Sequence, residues 1–236
     1  MLACALLLAL ALPAADAHAR TRHRASGCAH NASYHARHPG RRTRSRRCVR
    51  RHPKRSTSLH RSRRRHIVSR HGGRSSDAGC PGAGQMPTEA NLELIRSAVV
   101  CLENREREAR SEAPLAVDAA LQNAAQTHSE SMAGHGYFGH VGPDGTPMQR
   151  MRAAGYLSDP SASYEVGENL AWGTLWLGTP RAIVACWMAS AGHRANILDA
   201  RFRDTAVGVA VHLPRSLTGG QSGGMYTQDF GVIIAG

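Results

Sequence analysis

Between His18 and Ser75 the sequence has no acidic residue, while Lys and Arg fill 19 positions. Large apolar residues are also scarce there, with Tyr34, Leu59, Ile67 and Val68 among the few. A segment this basic and this poor in apolar surface has no means of building a core and is expected to be disordered. Beyond Leu12 no run approaches the roughly 20 apolar residues that a spanning helix needs, which argues against a membrane span in the mature protein. No His-Glu-x-x-His helix occurs, which sets aside the zinc-protease chemistry that motif supports.

Charge divides what is present. From Cys80 onward there are 11 Lys or Arg against 15 Asp or Glu, a formal −4, so the overall +13 belongs to the leader. Residues 1–17 carry the apolar run Leu2 to Leu12 and the small-x-small site Ala15-Asp16-Ala17, the pattern of a secretory signal. Three parts are therefore expected: a signal peptide (1–17), a disordered Arg/His-rich leader (18–79) and one folded domain (80–236). The leader would bind polyanions through screened charge contacts. A tether to an anionic cell-envelope polymer or to lipid headgroups competes with a plain solvated spacer, and a nucleic-acid arm ranks behind both. Asn31-Ala32-Ser33 fits a glycosylation sequon.

Export to an oxidising compartment would permit disulfides. The nearest pairings are Cys28 with Cys48 and Cys80 with Cys101, although spacing alone does not fix connectivity. Cys186, beside Trp187 on an apolar helix, is expected to be a buried thiol.

Within the domain, Leu92, Ile95, Val99 and Leu102 recur at helical spacing, giving a first helix over about 88–110 with Glu103 to Glu112 as a solvated face. Asp118 caps a second, Ala-rich helix running to Gly134, suited to close packing, with His128 as a structural histidine. A short helix covers 146–154, with Met148, Met151 and Ala154 as its buried side. Thr179-Pro180 opens another through Trp187, with Gly192 offering a turn beyond it. Two strands close the chain, over 206–211 and 225–234. This is an α+β domain with helices against an antiparallel sheet.

Five segments point further: Phe138-Gly139-His140, Gly167-Glu168-Asn169-Leu170, Trp187, Gly192 to Leu198, and Tyr226 to Gly231. Taken together, in this order, they resemble the bacterial branch of the CAP (SCP-like) family, which includes cysteine-rich secretory, antigen 5 and pathogenesis-related proteins. The resemblance implies a CAP-type α-β-α sandwich and a cleft lined by His140, Glu168 and His193. It leaves Ser190 where the eukaryotic pattern has a second Glu. Asn196 and Gln228 are candidate polar contacts in that cleft, and Asn196 could equally brace the turn.

Two imidazoles hold a divalent cation through one nitrogen each and leave positions open, so His140 and His193 are candidate Zn2+ ligands, and a small ligand in the cleft is the other expectation. No catalytic residue is assigned on this reading. The alternative is a metal-assisted hydrolase of peptide or wall material with Glu168 as base. Either way, a secreted or envelope-associated protein is expected.

Overall fold

The computed structural model describes Ser26–Gly27, Tyr34–Arg37 and residues 79–234. The expected signal peptide, most of the leader, its sequon and the Cys28–Cys48 pairing lie outside the described residues. In chain order the elements are β1 (Ser26–Gly27), β2 (Tyr34–Arg37), α1 (Leu92–Glu108), β3 (Ala116–Val117) and α2 (Ala119–His135). Then follow α3 (Pro147–Ala153), β4 (Ser163–Thr174), α4 (Pro180–Ala189), α5 (Ala191–Ile197), β5 (Asp204–Ala210), α6 (Arg215–Thr218) and β6 (Gly223–Ile234).

The sheet runs β1-β4-β6-β5-β3, with β2 also on the outer edge of β4. Every pairing is antiparallel except the short β3–β5 one. Alternation along β6 sends Tyr226, Gln228 and Phe230 to one face and Met225, Thr227 and Asp229 to the other. The first face packs Ile95 and Val99 of α1 and Ile183 and Trp187 of α4. The second packs Leu121 of α2, Met151 of α3 and Val166 of β4, with Met148 and Ala154 beside them. The result is the α-β-α sandwich expected from the sequence.

Helix starts follow local chemistry. The Asp118 carboxylate accepts from Leu121 N–H at 2.9 Å, Thr146 caps α3 with Pro147 at its first position, and Thr179 with Pro180 does the same for α4. The close approach expected from the Ala-rich second helix is between α2 and β5. A Cβ on Gly208 would lie 2.1 Å from the Ala125 carbonyl oxygen. Cys80 and Cys101 form a disulfide that pins the start of the domain to α1.

Several expectations are corrected. Glu103 and Arg107 are fully buried rather than on a solvated face. Arg107 donates to the carbonyls of Ala113 (2.7 Å), Ile197 (2.8 Å) and Asp199 (2.9 Å), so its charge satisfies irregular backbone that no strand or helix pairs. Gly192 lies inside α5; the break falls at Ser190, whose extended backbone separates α4 from α5. Cys186 is disulfide-bonded and not a thiol. Tyr34–Arg37, expected to be disordered, is a strand on β4, where the edge of a sheet supplies the hydrogen bonds that the leader's own sequence lacks.

Gly208→Ala should lower stability by about 1–3 kcal/mol, the range for forcing volume into a packed core. Urea unfolding monitored by Trp fluorescence measures it, and an unchanged midpoint would contradict the α2–β5 contact.

Candidate functional site

The β4–β6 register sets Glu168 opposite Asp229. Directly opposed residues of an antiparallel pair share a face, so two carboxyl groups emerge side by side on the α2 side of the sheet, both fully buried. Glu168 Oε1 lies 2.7 Å from Nδ1 of His140, and Oε2 accepts from Arg150 at 2.5 Å. Arg150 projects from α3 and also donates to the carbonyls of Gly145 (2.7 Å) and His140 (3.2 Å), which holds the His140 loop against the sheet. Behind it, Asp144 receives the Tyr137 hydroxyl at 3.0 Å and meets His128 Nδ1 at 2.7 Å, while His128 Nε2 donates to the Gly139 carbonyl at 3.0 Å. His128 is thus a bracing histidine, as expected.

His193 enters from α5 and is 1% exposed. Neither of its ring nitrogens has a hydrogen-bond partner among the described residues, and Nε2 of His140 is likewise buried and unpartnered. The Glu168 carboxylate on His140 Nδ1 fixes the tautomer whose Nε2 keeps the free lone pair that a metal or hydrogen-bond donor would need.

The electrostatics divide the acids. Burial alone would raise Glu168, yet the bond to His140 and the Arg150 charge outweigh it and hold the carboxyl below its ordinary range. Asp229 has no such partner; burial, then the neighbouring Glu168 charge, push it well above the usual value. The two neighbouring acids are thus pushed in opposite directions, Glu168 toward the anion and Asp229 toward the protonated acid. Burial, reinforced by His140, lowers the His193 pKa to about 4.

Of the residues singled out in the sequence, His140, Glu168 and His193 come together. Asn196 braces: its amide donates to Asn169 Oδ1 at 3.1 Å and to the Glu168 carbonyl at 3.4 Å. Ser190 is the N-cap residue of α5, though its hydroxyl makes no capping bond. Gln228 is corrected. It faces α1, where it bonds Glu103 and, at 3.2 Å, Thr205 Oγ1, on the opposite side of the sheet from Glu168. An acid the sequence reading did not assign, Asp229, lies opposite Glu168, one residue beyond Gln228. The signal was period-2 alternation: if Gln228 faces one way, Asp229 faces the other. The strand register that brings Asp229 to Glu168 is a long-range fact. Among the described residues, the three metal-type side chains whose ligand atoms lie within 4.8 Å of one another are His35, Glu165 and Asp199, not the His140, Glu168 and His193 trio. Arg201 pairs with both Glu165 and Asp199, so that cluster is an ion-pair network.

The profile of the CAP family, described as the cysteine-rich secretory protein family, matches residues 102–230, more than half of the chain. The chain belongs to the CAP family. It is 36% identical over 143 residues to the uncharacterized protein YkwD of Bacillus subtilis (strain 168), covering 60% of this chain and 48% of that one. It therefore spans about half the length of that relative. Among solved structures it is similar to an extracellular protein containing an SCP domain from Bacillus anthracis, with 25% identity and a TM-score of 0.43, over 61% of this chain and 43% of the other. An outer surface protein from Borrelia burgdorferi is 18% identical with a TM-score of 0.45, over 62% and 95% of the two chains.

Because the folded His193 binds its proton only near pH 4, the unfolded chain holds more protons between about pH 6.5 and that value. Its contribution to stability is therefore full above about pH 6.5 and is lost as pH falls toward 4. In metal-free protein the His193 ring proton resonance should stay flat down to about pH 5 by NMR; a midpoint near 6.5 would contradict the burial.

Proposed function

We propose that this CAP protein is exported and binds a divalent metal, Zn2+ by donor type, or a small ligand through His140 and His193. The observation that carries this reading is the set of buried, unpartnered nitrogens on the two rings, with Glu168 orienting one of them. The apolar start of the sequence and the Cys80–Cys101 bridge support export. The basic leader supplies charge for attachment to an anionic envelope polymer or lipid headgroups.

The Glu168–Asp229 pair favours a second reading, hydrolysis of peptide or wall material. A bound cation would supply charge that stabilises a developing oxyanion. Glu168, committed to Arg150 and His140, is a weak base and acts as a positioning group. Asp229, pushed well above the ordinary carboxyl range by burial, is the candidate proton donor.

Calorimetric titration of the full chain with Zn2+ tests the first reading. The His140→Ala/His193→Ala variant should lose one equivalent relative to wild type, while the His35→Ala variant, which removes the histidine of the other cluster, should lose none. Equal stoichiometry in wild type and the double variant would refute the site.

A further inference from the structure

The edge of β4 away from β6 carries the chain's own β2. The register is Tyr34 with Glu168, His35 with Gly167, Ala36 with Val166 and Arg37 with Glu165. Tyr34 therefore falls on the cleft face, its ring 6.4 Å from the His140 ring. Asn196, already bonded to Asn169, also donates to the Tyr34 carbonyl at 3.5 Å, so a buried side-chain amide is aimed at the backbone of whatever strand sits here. His35 lies 3.8 Å from both Glu165 and Asp199 and packs on Phe202, while Arg37 reaches Glu165 at 3.5 Å. Ala36 packs with Tyr34 against the cluster of Met151 and Val166.

We propose that the β4 edge is a strand-acceptor groove for an extended polypeptide of the pattern aromatic-x-small-basic, and that Tyr34–Arg37 occupies it in cis as a strap over the cleft. Strand addition of this kind draws affinity from main-chain hydrogen bonds and selectivity from alternate side chains. Here the aromatic position lies beside the His140–Glu168 pair, and Glu165 meets the basic residue at the fourth position. The proposal builds on the cleft reading by naming the class of molecule that would lie across it. While the strap is seated, an incoming peptide competes with an intramolecular strand whose effective concentration is in the millimolar range.

The test uses the full chain and a fluorescein-labelled peptide of residues 33–38, read by anisotropy. In the His35→Pro/Ala36→Pro variant the strap cannot keep its ladder, and the peptide should bind at least ten times more tightly than to wild type. A Tyr34→Ala peptide should bind the same variant at least ten times more weakly than the parent peptide. A milder variant, His35→Ala/Arg37→Ala, leaves the backbone able to pair and should show a smaller gain. It decides the matter if the proline variant has lost its near-UV circular dichroism. Equal binding to wild type and both variants, no binding to either variant, or indifference to Tyr34 would overturn the groove. Zn2+ titration of the same proteins separates the two readings: peptide binding without a His140/His193-dependent metal equivalent sinks the metal site and keeps the groove, and the converse sinks the groove alone.

Discussion

Two carboxyl groups placed side by side on a dry sheet face oppose each other's ionisation, and the β4–β6 register puts Glu168 and Asp229 in that relation. Other charges favour the anion at Glu168, while burial and that neighbour push Asp229 toward the protonated form. The neighbouring architecture reflects this opposition. Arg150 comes down from α3 to neutralise Glu168, the His140 loop is held against the sheet by the same guanidinium, and Asp144 with His128 and Tyr137 supports that loop from behind. Removing a partner from such a buried network leaves an uncompensated charge, which costs far more than the pair contributes.

The other half of the cleft depends on α5. Its position is fixed by polar contacts to backbone rather than by apolar packing alone: Asn169 donates to the His193 carbonyl at 3.2 Å, Asn196 donates to β4, and Arg107 holds the chain just beyond the helix. The Asn and Arg side chains near the site thus shape the backbone that presents the histidines.

How much of this was legible in the sequence differs by element. The helices were, since their caps at Asp118, Thr146 and Thr179 and their 3.6-residue periodicity are local. The closing strands were also legible, being β-branched and alternating. The long strand β4 was not assigned, because Ser163–Thr174 is buried along nearly its whole length and carries Gly, Glu and Asn where alternation would be expected. His140, Glu168 and His193 were found through a family pattern and not through spacing. Asp229 and Arg150 escaped because only the register and the docking of α3 give them meaning. Glu103 and Arg107 misled for the opposite reason, since a charged run on a helix ordinarily faces water.

The strand Tyr34–Arg37 has a consequence for how molecules of this protein meet one another. A sheet with a bare outer strand offers unpaired N–H and C=O groups to any other bare strand, and β4 is long. With β1 and β2 in place, part of that edge is occupied by a segment whose neighbourhood is dense in like charge. The same residues that lie over the cleft thereby act as a colloidal guard, keeping two copies from joining edge to edge into a continuous sheet.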